Sequence, residues 1–140
     1  MQFSWVAVRK LEMLVFAAML IAVPWFAVRV LQSTYDQGPV RATTAALVNV
    51  LEHARHDAAS STEPITVEST KATASRPPGY IVRTGDFVNQ EFFLSNNVEV
   101  VGSVTFDPGG MPKERSSFVV SRGSATGRVQ INAQGEVSVN

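Results

Sequence analysis

The sequence contains no cysteine and only two histidines. Without thiolates there is no disulfide framework and no sulfur-ligated metal. With two histidines and scattered carboxylates, a metal centre is not expected either. The missing cysteine leaves an exported location open. There is also no excess of charge of one sign. Twelve Lys and Arg offset twelve Asp and Glu for a net charge of zero, so no strong positive field is available to hold a nucleic-acid backbone. Arg115, Arg122 and Arg128 are expected to make at most a small basic rim near the C-terminus, too sparse for strong DNA binding.

Signatures of chemistry are lacking as well. The stretch GSATGR at 123–128 has the glycines of a phosphate loop without its Lys-Ser/Thr ending or a following helix. No Gly-x-Ser-x-Gly elbow occurs. Asp86 and Glu91 are the carboxylates nearest to an acid–base pair, and no pocket-forming pattern surrounds them, so they read as surface groups on strands. His53 and His56 lie three apart on a helical stretch, and the nearby carboxylates Glu52 and Asp57 are not on the same face as each other, so the stretch reads as a solvated face. No catalytic residue, metal or cofactor is expected, and the chain does not read as an enzyme.

What is present is one long apolar run. Residues 13 to 28 carry no charge, slightly short of the roughly 20 residues that cross a hydrocarbon core. Leu11, Val30 and Leu31 extend the run if Arg29 snorkels to water. Arg9 and Lys10 precede it, which keeps the N-terminus cytoplasmic and the remainder outside. A cleaved signal peptide, a simple anchor and a buried helix are the plain readings of such a run. None of them accounts for Glu12 at its mouth. Near a helix start a carboxylate favours the macrodipole and can face water. Inside a membrane it needs a cationic partner, because an unpaired charge in lipid is costly.

Beyond the run, residues 33–39 (STYDQGP) read as a helix stop and linker, or as a kink or melted patch. Helix is predicted again over 40–61, with Val40, Thr44, Leu47, Leu51, Ala54 and Ala58 on one face to pack on a sheet. From 62 onward the period becomes two. Strands are predicted at 65–67, 80–83, 87–94, 98–106, 117–121 and in a closing hairpin, Val129 and Ile131 against Val137 and Val139 around residues 132–135. Loops are expected at 69–79 and 122–127, and turns at 95–97 and 107–110. The fold class is therefore α+β: a long N-terminal helix, half membrane and half amphipathic, packed on an antiparallel β-meander.

The order of parts resembles that of type IV pilins and pseudopilins, whose short leader precedes an apolar helix with Glu as the fifth residue after the cut. A cut between Ala7 and Val8 would make Glu12 that residue and residues 1–7 the leader. This chain has Ala7 where the family prefers Gly, Val8 where it prefers Phe, and the cations Arg9 and Lys10 next. VRATTAALVNVLEHARHDAAS, with its Ala54–Arg55 pair, VTFDPGGMP at 104–112 and GRVQINAQGEVSV with Gly135 are similar to the minor pseudopilins of the GspH/FimT type and their competence counterpart, ComGD. The resemblance implies that a prepilin peptidase releases Val8. It implies that Glu12 neutralises the methylated N-terminal amine of a neighbouring subunit, fixing how far one helix slides past the next. The partners implied are other pilin or pseudopilin subunits and the membrane, with DNA touched only indirectly through the pilus.

The resulting expectation is a minor pseudopilin of a competence, DNA-uptake pilus, single-pass in the membrane and surface-displayed once assembled. A minor pilin of a type II secretion or type IV pilus system stands beside it. An uncleaved single-pass protein whose β-domain binds an envelope partner is the alternative from another class.

Overall fold

A computed structural model describes residues 5–95 and 97–140. The chain divides into two compact units, with the boundary between Tyr35 and Asp36. The expected leader falls partly on residues 1–4, outside the described residues, as does Asn96 of the expected 95–97 turn.

One helix, α1 (Trp5–Ala59), is followed by eight strands: β1 (Ile65–Thr70), β2 (Gly79–Thr84), β3 (Phe87–Phe93), β4 (Glu99–Val101), β5 (Ser103–Phe106), β6 (Ser116–Arg122), β7 (Ala125–Ile131) and β8 (Val137–Val139). All pairing is antiparallel. The α+β class with a helix on antiparallel sheet is what the structure has. The six residues of the predicted helical face are all buried, from Thr44 at 5% exposed to Leu47, Leu51 and Ala58 at 0%. They share one core with Val67, Phe106, Phe118, Val120, Val129 and Ile131 from the strands. Each fully buried Leu or Val contributes about 2 kcal/mol by removal from water. Thr44 is the polar member of the stripe, and its hydroxyl donates to the Val40 carbonyl at 2.7 Å.

Three expectations are corrected. The helix stop at 33–39 is absent, because α1 carries helical structure through Gly38 and Pro39. Proline removes one helical hydrogen bond, and the adjoining turn is held by tertiary contacts instead. Val40 is sealed in the core, and Asp36 forms an ion pair with Arg122 at 3.2 Å.

The strand expected over 98–106 is two strands in two different sheets, ordered β3-β2-β1-β5 and β4-β6-β7-β8, rather than part of one meander. The break is Gly102, where the chain passes over β6. A Cβ there would stand 2.6 Å from the Ser117 carbonyl oxygen and 2.8 Å from the Phe118 ring, so only glycine allows the crossing.

The loop expected over 122–127 is a two-residue turn. Arg122 pairs with Ala125, and Gly123 at φ 55 takes the first central position that a type II′ hairpin reserves for glycine.

The closing hairpin is present as expected. Asn132 organises its turn: its Oδ1 accepts from the main-chain N–H of Gln134 and of Glu136, both at 2.9 Å, and its carbonyl accepts from Gly135 at 3.0 Å. Gly135 has φ 81, and a Cβ there would meet Arg55 Nε at 3.0 Å. Gly135→Val is expected to cost about 2 kcal/mol, since L-residues avoid this conformation. That corresponds to roughly a 10 °C drop in melting temperature for a domain of about 100 residues. Thermal unfolding by circular dichroism reads it, and an unchanged midpoint contradicts the turn's dependence on glycine.

Candidate functional site

The N-terminal unit presents an unusual surface. Fifteen large apolar side chains between Val8 and Leu31 are exposed. Within α1 an 18-residue window reaches a mean hydropathy of 2.2 with none of it buried. Monomers in water rarely leave so large a contiguous apolar surface open. By length and composition this helix can cross a membrane. At its far end the Arg29 guanidinium lies 4.1 Å over the Trp25 ring, one helical turn away, a cation–π pair suited to a membrane interface. The sequence reading had Arg29 snorkelling but missed Trp25, although their spacing of four placed them on one face.

Glu12 belongs to this surface. Helical spacing puts it on one face with Val8 one turn before and Phe16 one turn after, which are 40% and 71% exposed. Arg9 and Lys10 are its sequence neighbours. Among the described residues neither forms an ion pair with it. A cation preceding a carboxylate by three or four residues is the weaker orientation of such pairs, because both charges then oppose the helix dipole. Glu12 is therefore a carboxylate on an apolar face without a described counterion. Ala7 and Val8 both lie on α1.

The remaining candidates scatter. Arg122 turns to the helix side and binds Asp36, with both side chains mostly covered. Arg128 sits opposite Val119 on the other face of the same sheet, and Arg115 is in the preceding loop. The three arginines do not assemble into a rim. The Asp36–Arg122 pair was not legible, because Asp36 lay in a stretch read as linker. Glu91 is paired with Arg76, while Asp86 sits in the exposed β2–β3 turn. His53 Nδ1 donates to the Asn49 carbonyl at 2.9 Å. No three described His, Asp or Glu side chains come together as metal ligands. Tyr80 is buried and stacks on Phe92 with ring centroids 4.8 Å apart. Burial pushes its hydroxyl pKa upward, and the ring serves as core.

The C-terminal end of α1 is docked to the β-domain. The N–H of Gly109 donates to the Ala58 carbonyl at 3.0 Å, meeting one of the acceptors a helix end leaves free. Gly110 follows at φ 80, with its Cβ position 2.9 Å from the Arg55 carbonyl. The turn expected at 107–110 is thus also a helix cap.

No known family model matches the chain, and no curated protein matches its sequence. Two crystal structures of the type IV minor pilin FimU from Pseudomonas aeruginosa (strain PAO1) share the fold. One matches with a TM-score of 0.55 at 14% identity, covering 72% of this chain and 87% of that one. The other matches with a TM-score of 0.55 at 13% identity, covering 71% and 91%. The chain has a pilin-like fold.

Proposed function

We propose that this chain is a structural subunit of a type IV pilin-like filament, a minor pilin or pseudopilin that performs no chemistry of its own. The observation that carries the reading is the division of labour along α1. One half is sealed onto a β-domain, while the other exposes a continuous apolar surface interrupted near its start by a single carboxylate, Glu12. A helix bundle within or above a membrane covers such a surface. A neighbouring subunit's N-terminal amine gives the carboxylate its partner. In this reading the N-terminus faces the cytoplasm, the β-domain lies outside, and a prepilin peptidase cuts between Ala7 and Val8.

The machine follows from two sources. The likeness of residues 40–60, 104–112 and the closing hairpin to competence pseudopilins supports a DNA-uptake pilus. The shared fold with FimU supports a type IV pilus. Deleting the protein separates them: loss of transformation with surface pili intact fits the first, and loss of pili fits the second. Intact transformation, piliation and secretion in the deletion strain would rule out the filament reading.

The leader is tested separately. The mature N-terminus is expected at Val8 with a methylated amine, read by intact-mass and N-terminal peptide spectrometry of the membrane-extracted protein. A protein that keeps Met1, or is cut beyond Phe26, points instead to a single-pass anchor for an envelope-binding β-domain.

A further inference from the structure

The apolar segment carries more positive charge than it answers. Between Val8 and Leu31 there are three cations, Arg9, Lys10 and Arg29, and one carboxylate, Glu12. Arg29 has a partner within its own helix, the Trp25 ring. Arg9 and Lys10 are exposed and have no ion pair among the described residues. Both line a hollow of about 580 Å³ along α1, together with Glu12, Met13 and Phe16. Arg9 with Met13 and Glu12 with Phe16 are each four apart and make two adjoining ribs of it. Met13 and Phe16 are 79% and 71% exposed, so cationic and apolar side chains share one open surface.

In the filament reading, on which this inference rests, a neighbour's amine meets Glu12 inside an apolar bundle. Arg9 and Lys10 stand between Val8 and Glu12 in the chain and enter the bundle with them. The amine of Val8 and the carboxylate of Glu12 offset each other from chain to chain, which leaves two positive charges over in every copy. In the membrane those two charges lie at the cytoplasmic face, among water and anionic headgroups. In a bundle they need carboxylates, because a buried charge without a partner is strongly unfavourable. A second copy of this chain supplies none beyond Glu12 in that segment.

We propose that the hollow takes the apolar helix of an unlike subunit, one whose first turns carry two carboxylates more than this chain's, placed to meet Arg9 and Lys10. The charges set the choice of partner, while Met13 and Phe16 supply the packing. The chain then joins subunits of other kinds and is refused by its own kind.

The test uses the processed full chain in detergent micelles, immobilised by a C-terminal tag, with its start at Val8 verified by mass. Two dye-labelled peptides of residues 8–32 are offered, one native and one carrying Arg9→Glu and Lys10→Glu. The acidic peptide is expected to be retained about tenfold more tightly than the native one. The protein variant Arg9→Gln with Lys10→Gln leaves the β-domain untouched and is expected to bind the two peptides alike. Equal retention of both peptides by the wild-type chain overturns the proposal, as does a preference that survives in the glutamine variant. So does a preference that disappears when phosphatidylglycerol is mixed into the micelles, since headgroups then suffice for the two cations. Recovery of the protein with the major pilin reports on the filament reading independently. Equal retention of both peptides by a chain that is recovered there sinks the partner choice alone, and a chain absent from filaments sinks both.

Discussion

Glu12→Ala is expected to leave the protein at normal levels in the membrane fraction and to remove it from assembled filaments. Export depends on the apolar run and the preceding cations, none of which the substitution touches. Assembly in the proposed reading, in contrast, would place an N-terminal amine of one subunit in an apolar bundle beside a second. An ammonium there without a counterion is strongly unfavourable, and removing one partner of a buried pair costs about 3–5 kcal/mol. At 1.4 kcal/mol per decade this is a loss of roughly 100-fold or more in incorporation. The measurement is recovery of the protein with the major pilin, normalised to its membrane level. Glu12→Asp tests geometry: it keeps the charge but shortens the reach, so partial recovery is expected. Equal recovery of wild type and Glu12→Ala would sink the assembly role of Glu12, and the structure would then leave that carboxylate without an assigned task.

Gly102→Ala is expected to destabilise the β-domain nearly as much as Gly102→Val, because the first added carbon already makes the collision. That carbon would lie 2.6 Å from the Ser117 carbonyl oxygen and 2.9 Å from the Phe118 Cα. Both are main-chain atoms of β6, the strand that pairs with β4 and β7, so neither can swing aside as a side-chain tip does. Overpacking of this kind costs about 1–3 kcal/mol, and more where backbone must move. For a domain near 100 residues each kcal/mol is worth roughly 4–8 °C, so a drop of about 15 °C is the expected result. Thermal unfolding of the full chain in detergent, followed by far-ultraviolet dichroism, reads it. A midpoint within about 2 °C of wild type would show that the crossing of β4 into β5 tolerates a side chain, within the ±0.5 kcal/mol of ordinary surface changes.

These two sites mark how far the sequence could be read. The helical face from Val40 to Ala58 was legible because a period near 3.6 survives whatever packs on it. The closing hairpin was legible because Gly135 sits between two short apolar alternations. The split at Gly102 was not. Val98, Val100, Val104 and Phe106 are all buried and all even-numbered, as is Gly102, so the alternation runs through the break without a missed beat. Periodicity reports which side of a strand faces inward and carries no label for which sheet it joins. The one available signal was an isolated glycine inside a strand pattern. Residues 125–127 were assigned to a loop because the glycines at 123 and 127 outweighed Ala125, which continues the odd-numbered series of Val129 and Ile131. Gly38 and Pro39 misled in the opposite direction, since local propensity yields to tertiary contacts. Of the candidate site, Glu12 was legible as a charge out of place. Its neighbours on the apolar surface followed from helical spacing.

The part of α1 that packs on the strands is pinned at both extremities, by Asp36 with Arg122 at one and by Ala58 with Gly109 at the other. From Asp36 to Ala58 the pinned span rises 22 steps, about 33 Å at 1.5 Å per residue. Traction applied along its axis therefore meets every contact of the stripe at once, in shear. It does not peel them apart one after another from a loose end. If the chain works as proposed, within a filament, a pull along that axis is expected to need more force than a pull that opens the same contacts from one end.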